Sequence, residues 1–277
     1  MRHLEQDLAG TGGMRLFMQA WLPDGGPTRV MVIAHGLAEH SRRYEALASR
    51  FVAQGFAVYA LDHRGHGRSP GRRANIERFD LVVEDLRALL ETARREHPGL
   101  GVTLLGHSMG GALALTCALR HPGLLQQLVM SAPALNAGPD VPWLQVVVVK
   151  LLSRVLPNVG ALTLPAEAIS RDPEVVRAYE QDPLVYRGSI PARTLAELVT
   201  AMDAFPATVG GLRCPVLIQH GSSDSLAALE HCRPVYARLG SADKTLRVYD
   251  GLYHEVYNEP ERERVIGDLL EWLAARS

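Results

Sequence analysis

The chain has 277 residues, of which 47% are hydrophobic and 21% charged, so it can bury a full-sized core in one domain that carries an insertion. Its formal net charge of -1 argues against nucleic acid as a partner. The three cysteines lack metal-ligand spacing, the N-terminus is charged, and no apolar run approaches the roughly 18 residues of a membrane span. These features predict a cytoplasmic protein with reduced thiols.

Short β-branched runs alternate along the chain with longer helical patterns. The predicted strands are the amphipathic MRLFMQAW and then RVMVIAHG, FAVYALD, GVTLLGH, LQQLVMSA, CPVLIQHG and TLRVYDG. The predicted helices are RRYEALASRFVAQ, the segment from Phe79 to His97, one that begins at Ser108, and the closing ERERVIGDLLEWLAARS. The alternation predicts an α/β fold with a mostly parallel central sheet and helices on both faces.

The alternation stops after Ala134 and resumes near Arg213, which leaves a stretch longer than a simple crossover needs. We therefore predict a core of residues 1–136 and 206–277 and an inserted, mainly helical cap over 137–205. Within the cap, VPWLQVVVVKLLSRVLP is apolar around most of its helical circumference. This pattern favours a helix buried between cap and core. The alternative is a lid helix that exposes apolar surface to lipid or an oily substrate.

The pentapeptide Gly106-His107-Ser108-Met109-Gly110 has the form GxSxG. A β run precedes it and a helix rich in small residues follows, so the serine is expected on a tight strand-to-helix turn. Such a turn presents a nucleophile, whereas the structural alternative is a glycine-rich turn with an idle hydroxyl. A serine hydroxyl needs a base that accepts its proton. Neighbours on a sharp turn point in different directions, so His107 is not expected to be that base.

In serine hydrolases built on such sheets, the acid and then the histidine follow the serine along the chain. His254 fits the histidine, because it lies between the last strand and the last helix. Asp224, in the loop after the penultimate strand, fits the acid, and Asp203 and Asp250 are weaker rivals. Asp224 is thus predicted to orient His254, which would activate Ser108.

Two backbone N–H groups are predicted to stabilise the negative charge that develops on the substrate oxygen. One belongs to Met109, directly after the nucleophile, and the other to Leu37 in the loop after an early strand. His35, His40, His63 and His66 show no zinc-site spacing, so no metal site is expected. The pair Arg42-Arg43 reads as solvated surface.

Five segments together resemble the monoacylglycerol lipases of the α/β-hydrolase superfamily, especially the bacterial ones. They are HGLAEHSRRY, LDHRGHGRS, GHSMGG, AISRDPEVVRAYEQDPLV and GLYHEVYNEPERERV, and they span nearly the whole chain. The resemblance implies the α/β-hydrolase fold and hydrolysis of monoacylglycerols to glycerol and fatty acid without a cofactor. It also implies a lipophilic lid able to touch a membrane transiently, a triad of Ser108, Asp224 and His254, and oxyanion donors at Leu37 and Met109.

The chain departs from the family at two places. Ala38 and Arg42 stand where the family often has glycine, and the run after the acid, Ser225 to Ala228, lacks the usual proline. These changes bear on substrate size and head-group selectivity. A carboxylesterase or lysophospholipase with the same triad is the alternative enzyme, and a non-catalytic ligand receptor is the alternative from another class. Ser108 on the strand-to-helix turn argues against dehalogenase chemistry, which uses an aspartate at this position.

Overall fold

The fold is seen in a computed structural model that describes residues 1–137 and 143–276. Eight strands form one sheet in the order β1-β2-β4-β3-β5-β6-β9-β10, in which β1 and β2 run antiparallel to each other and β2 runs antiparallel to β4. All other pairings are parallel. The sheet strands are β1 Arg2–Ala9, β2 Arg15–Leu22, β3 Arg29–Ala34, β4 Phe56–Leu61, β5 Val102–His107, β6 Gln127–Ser131, β9 Val216–Gly221 and β10 Lys244–Tyr249.

Helices cover both faces of this sheet, and this explains why the central strands read as continuous apolar runs. Successive side chains of a strand point to opposite faces. Leu104 of β5 accordingly belongs to the hydrophobic core beneath the helices Phe79–Glu96 and Met109–Arg120, whereas Leu105 belongs to the core beneath the helices Glu45–Ala53 and Arg262–Ala274. The helices outside the insertion are α1 Glu45–Ala53, α2 Phe79–Glu96, α3 Met109–Arg120, α7 Leu229–Arg238 and α8 Arg262–Ala274. The predicted α/β-hydrolase architecture is thus confirmed.

Two elements of the sheet region were not predicted from the sequence. Strand β1 pairs with β2 along its whole length but lies at the sheet edge, where Leu8 is its one buried residue. An edge strand with few buried side chains lacks the alternation that marks a strand in sequence. Helix α7 carries Pro234 in its interior, and an internal proline argues against a helix on sequence grounds.

The long insertion between β6 and β9 is mainly helical. Its elements are α4 Trp143–Val155, β7 Gly160–Leu162, α5 Pro173–Gln181, β8 Ile190–Pro191 and α6 Ala192–Thr208. Helix α6 ends at Thr208 and so continues past the predicted cap boundary at 205, and its Met202 and Phe205 join the main core. Residues 138–142, near the start of the predicted cap, lie outside the described residues.

Helix α4 is exposed along one face. Val147, Leu151 and Val155, spaced four residues apart, expose 49%, 58% and 69% of their surface. Ser153 on the other side is buried. The expectation of a helix buried all round is therefore wrong for the described part of α4, because only one side of it packs onto the protein. Within the described residues, no helix combines the length and the apolarity that crossing a bilayer requires.

Candidate active site

Ser108 occupies the sharp turn between β5 and α3. Its φ of 53° and ψ of -119° lie in a region that side-chain-bearing residues rarely adopt. The main chain holds this conformation from both sides: the N–H of Ser108 donates to the carbonyl of Ser131, at 3.0 Å, and its own carbonyl accepts from Ala134 at 3.0 Å. The serine hydroxyl is thus presented at the carboxyl edge of the sheet on a fixed support.

The glycines around this serine are required by close packing. A Cβ on Gly106 would collide with the carbonyl oxygen of Gly110, and one on Gly110 would collide with the carbonyl oxygen of Ala34. Both obstacles are backbone atoms, which cannot swing aside. The small residues of GxSxG therefore allow strand and helix to approach each other closely enough to form the turn.

His254 and Asp224 form a buried pair. Nδ1 of His254 lies 2.8 Å from Oδ2 of Asp224. The other oxygen of this carboxylate, Oδ1, accepts N–H bonds from Leu226 and Ala227, at 2.8 and 3.0 Å. The carboxylate therefore has partners on both oxygens, which fixes the side of the imidazole that it can hold.

The two members of this pair shift each other's pKa in opposite directions. Burial by itself would lower the pKa of His254, but the Asp224 carboxylate, with smaller contributions from Glu255 and Glu39, raises the pKa above its ordinary value. Burial would likewise raise the pKa of Asp224, but His254 and the N–H donors lower it. The aspartate is therefore ionised at neutral pH beside an imidazole of increased basicity.

The rival acids lie elsewhere. Asp203 pairs with Lys150 at 2.8 Å on the surface of the cap. Asp250 accepts a hydrogen bond from Ser222 in an exposed turn. Neither is bonded to His254, so the geometry singles out Asp224 from the three candidates.

His107 is bonded away from its neighbour Ser108. Its Nδ1 lies 3.1 Å from the carbonyl oxygen of Ser131, and its ring centroid lies 4.7 Å from that of His254. Burial, followed by the proximity of His254, lowers the pKa of His107 to about 4. This side chain is therefore a neutral ring that packs against the imidazole of His254.

The loop after β3, predicted to supply an oxyanion donor, is fixed by Glu39. Oε1 of this buried carboxylate accepts the N–H of Gly36 at 2.6 Å and the hydroxyl of Tyr44 at 2.8 Å. Ala38 adopts a positive φ of 69° in the same loop. The carbonyl of Ala38 accepts the N–H of Tyr186 at 2.8 Å. Leu37 thus lies between Gly36 and Ala38, whose main-chain groups are both hydrogen-bonded.

A second ionic group beside the histidines was missed by the sequence reasoning. Arg43 binds both oxygens of Glu255, at 2.6 and 2.8 Å, and reaches Glu39 at 2.7 Å. Its side chain is only 11% exposed, so the reading of Arg43 as solvated surface is wrong, although Arg42 is exposed. The paired Arg43 guanidinium lowers the pKa of Glu255 against the effect of burial. The partners are 212 residues apart, so no sequence pattern revealed them.

Four of the five predicted site residues line one cavity of about 130 Å³, and Asp224 lies behind His254. Ser108, Met109, Leu37 and His254 all face it, together with Glu39, His107 and Glu255 at its polar end. The same three polar residues also border an adjacent cavity of about 460 Å³. The apolar wall of the smaller cavity comprises Leu162, Leu164, Ile169, Leu195, Leu198 and Leu226.

The histidines at 35, 63 and 66 form a separate buried cluster. The rings of His35 and His63 lie 4.1 Å apart, and Nε2 of His35 accepts the backbone N–H of His63 at 3.0 Å. Burial lowers the pKa of His63 to about 3. In the part of the chain that the structure describes, no group of three or more histidine, cysteine or acidic side chains has the arrangement of a metal site.

Known proteins resemble this chain in both sequence and architecture. A family profile described as "Serine aminopeptidase, S33" matches residues 25–261. A monoacylglycerol lipase of Mycolicibacterium smegmatis is 43% identical over 98% of this chain and 97% of its own. The human monoglyceride lipase is 33% identical over 98% of this chain and 90% of its own. The chain belongs to the monoacylglycerol lipase family of α/β-hydrolases.

Solved structures agree with this membership. The crystal structure of the Paleococcus ferrophilus monoacylglycerol lipase superposes with a TM-score of 0.85 at 31% identity and covers 95% of this chain and 100% of that one. As a monoacylglycerol lipase family member, the chain is a carboxylic ester hydrolase. Two positions at which the sequence departs from the family pattern can now be located. The side chain of Arg42 is exposed to solvent. The run after Asp224, which lacks the usual proline, still supplies two N–H donors to the Asp224 carboxylate.

Proposed function

We propose that the enzyme hydrolyses monoacylglycerols to glycerol and a free fatty acid through an acyl-enzyme intermediate, without a cofactor. The observation that carries the proposal is the 2.8 Å bond between His254 and Asp224, in the cavity that Ser108 also faces. A bound and oriented imidazole beside a strained serine is the arrangement that acyl transfer to a hydroxyl needs. Family membership makes a monoacylglycerol the favoured ester.

In the proposed reaction, Nδ1–H of His254 donates to Asp224, so Nε2 remains free to accept the proton of Ser108. The serine oxygen attacks the ester carbonyl, and the imidazolium then gives its proton to the leaving glycerol oxygen. Water repeats these steps on the acyl-enzyme and releases the fatty acid. Asp224 stays ionised throughout and stabilises the imidazolium.

The main-chain N–H groups of Leu37 and Met109 are the proposed donors to the oxyanion. Both residues line the cavity beside Ser108, and Met109 begins helix α3, whose N-terminus favours negative charge. One such donor typically contributes about 3 to 4 kcal/mol to the transition state. The bond from Gly36 to Glu39 keeps the Leu37 loop in place before the substrate arrives.

The two ends of the cavity suit the two ends of a monoacylglycerol. The leucines and Ile169 on its wall come mostly from the cap and would surround the acyl chain. The larger adjacent cavity is lined by more carboxylates than guanidinium groups. Such a lining favours a neutral polyol over a phosphate, which speaks against a lysophospholipase. The charged residues are Glu39, Asp172, Glu174, Glu255, Glu263, Arg43, Arg50 and Arg262.

We further propose that the cap, over residues 137–205, touches lipid surfaces during substrate uptake, while the core comprises 1–136 and 206–277. The exposed aliphatic side chains cluster on α4 and on the segment that follows it, and such patches are typical of interaction sites. A cytoplasmic location with peripheral membrane contact fits this surface and the free thiols of the three cysteines. The exposed aliphatic residues of this cluster are Val147, Val148, Leu151, Val155, Leu156, Val159 and Leu162.

The test is a panel of mono-, di- and triacylglycerols and lysophospholipids of several chain lengths, assayed with wild type and Ser108→Ala. We expect the highest kcat/KM on monoacylglycerols and a loss on the order of 10,000-fold or more in the variant. A fluorophosphonate probe should label the wild type and not the variant. Normal turnover by Ser108→Ala would overturn the triad, and a preference for lysophospholipids would overturn the substrate. A folded wild type without labelling would favour a ligand receptor.

A further inference from the structure

The main chain is fixed on both sides of His254. Before the histidine, the N–H of Tyr253 donates to Oε1 of Glu259 at 2.9 Å. After it, the N–H of Glu255 donates to the carbonyl oxygen of Ile169 at 2.8 Å. Ile169 belongs to the cap insertion, so one of the two anchors of the histidine loop is a cap residue.

The other anchor also leads to the cap. Glu259 is fully buried, at 0% exposure, and a buried carboxylate is tolerated only when it is paired and hydrogen-bonded. Its partners besides Tyr253 come from Arg171 of the cap, whose backbone N–H and Nε lie 3.1 and 2.9 Å away. The cap segment at 169–172 and the loop that carries His254 therefore share this carboxylate.

A neighbouring bond strengthens the joint. The hydroxyl of Ser170 donates to the carbonyl of Asn258 at 3.1 Å. The guanidinium of Arg171 also pairs with Glu261, which is exposed. No hydrogen bond from Glu261 to the main chain around His254 is seen among the described residues, so this second carboxylate holds the same arginine without holding the histidine loop.

The segment at 169–172 is also in contact with the substrate cavity. Ile169 lines the cavity that Ser108 also lines, and Leu226 packs against the hydrophobic cluster that contains Ile169. The backbone of the same residue bonds Glu255, next to His254. An acyl chain that packs against Ile169 would thus contact a residue whose backbone is hydrogen-bonded to the loop that carries His254.

We propose that Glu259 is a positioning residue, which keeps the His254 loop and the cap segment at 169–172 in one fixed arrangement so that the imidazole is aligned for proton transfer only while this segment is docked. The inference rests on the proposed function, in which His254 is the general base. Reacting groups displaced by about 1 Å can lose roughly 100-fold in rate. The effect should therefore fall on kcat.

The decisive variant is Glu259→Gln. The amide oxygen can still accept the backbone N–H groups of Tyr253 and Arg171, but its NH2 group faces the donor Nε of Arg171. The variant therefore loses the ionic bond to the cap, and the joint is weakened. On a short soluble ester, we expect kcat to fall roughly 10- to 100-fold, with KM within about threefold. We also expect the acid limb of the pH profile to move to lower pH. The pairing with Asp224 raises the pKa of His254. Partial loss of this pairing therefore lowers the pKa of His254.

Glu261→Gln is the matched control, because it makes the same chemical change on the same arginine. It should stay within about twofold of wild type, with an unmoved acid limb. Equal losses in the two variants, or a loss of kcat in Glu259→Gln without a shift of the acid limb, would show a merely structural role and overturn the proposal.

If Glu259→Gln fails to fold, as judged by thermal melting, Arg171→Gln at the partly exposed end of the joint replaces it. A smaller loss of kcat with the same direction of shift supports the proposal, and an unmoved limb overturns it. If wild type and Glu261→Gln both lacked esterase activity, the proposed function itself would be overturned. Glu259→Gln equal to an active wild type would overturn only this inference.

Discussion

The core side and the cap side of the substrate cavity differ in polarity. On the core side, buried polar groups hold one another at fixed distances, as Asp224 holds His254 and Glu39 holds the N–H of Gly36. On the cap side, the wall is aliphatic, and its outer surface at Val147 and Leu151 is exposed.

The difference follows from what each side must do. Charge that develops in a transition state is stabilised by dipoles already in place. Apolar contact is non-directional and depends mainly on the area removed from water, so the cap can bind an acyl chain without fixed geometry. The four predictions below test this contrast, from the largest expected effect to the smallest.

The largest effect is expected at the acid. Asp224→Asn keeps the shape of the side chain but replaces an acceptor with an amide and permits the wrong imidazole tautomer. We expect kcat on a soluble ester to fall by about 10,000-fold, as removal of the acid's charge does in other triads. Asp250→Asn, in an exposed turn, is the matched control and should stay within about twofold. Comparable losses in both variants would contradict the assignment of Asp224.

The core should be sensitive to acid because it buries neutral histidines. The pKa of His63 is about 3 in the folded protein and about 6.5 when unfolded. The unfolded chain therefore binds an extra proton below pH 6.5, and the free energy of unfolding falls as pH drops from 6.5 towards 3. At pH 5, His63 accounts for a loss of about 2 kcal/mol.

This contribution is measured by urea unfolding at pH 7 and pH 5. The loss of stability between the two values should be about 2 kcal/mol smaller in His63→Asn than in wild type, because the variant lacks the proton-binding site. Groups outside the cluster of His35, His63 and His66, such as His254 and Asp224, change equally in both proteins and cancel in the difference. An identical loss in the two proteins would mean that His63 does not titrate as its burial requires.

The cap is tested by Val147→Asp combined with Leu151→Asp. Hydrolysis of micellar or emulsified esters should fall about tenfold, because two charges replace apolar surface, while hydrolysis of short soluble esters should change little. Ala53→Asp with Gln54→Asp is the control for added charge. These exposed residues end α1, next to the amino end of β4 and away from Ser108. Equal losses on both substrate types would contradict a lipid-contacting cap.

The smallest effect is expected where the chain departs from its family. Ala38 holds a φ of 69°, which disfavours alanine by about 1 to 2 kcal/mol, while glycine loses about 0.5 to 1 kcal/mol of chain entropy. Ala38→Gly should therefore raise the free energy of unfolding by no more than about 1.5 kcal/mol and change kcat/KM by less than about twofold. Ala74→Gly, with a φ of 52°, is the matched control. A tenfold loss of kcat/KM at Ala38 alone would show that its methyl group shapes the oxyanion loop.

Much of this protein could be predicted from the sequence. Five buried strands, β3, β4, β5, β6 and β9, were recognisable as apolar runs, because a sheet covered on both faces leaves no polar alternation. The GxSxG turn and the order of serine, acid and histidine along the chain selected Ser108, Asp224 and His254, whose catalytic roles stay predictions. All of these signals are local, since each depends on a few neighbouring residues or on chain order.

Only the tertiary structure decided the rest. It separated Asp224 from Asp250 by a hydrogen bond, and it buried Arg43 against Glu255, which is distant in sequence. It also exposed one face of α4 and joined Glu259 to the cap through Arg171. The physical reason is common to all four: burial and pairing depend on which surfaces meet when distant segments pack, and neither periodicity nor spacing along a chain records that.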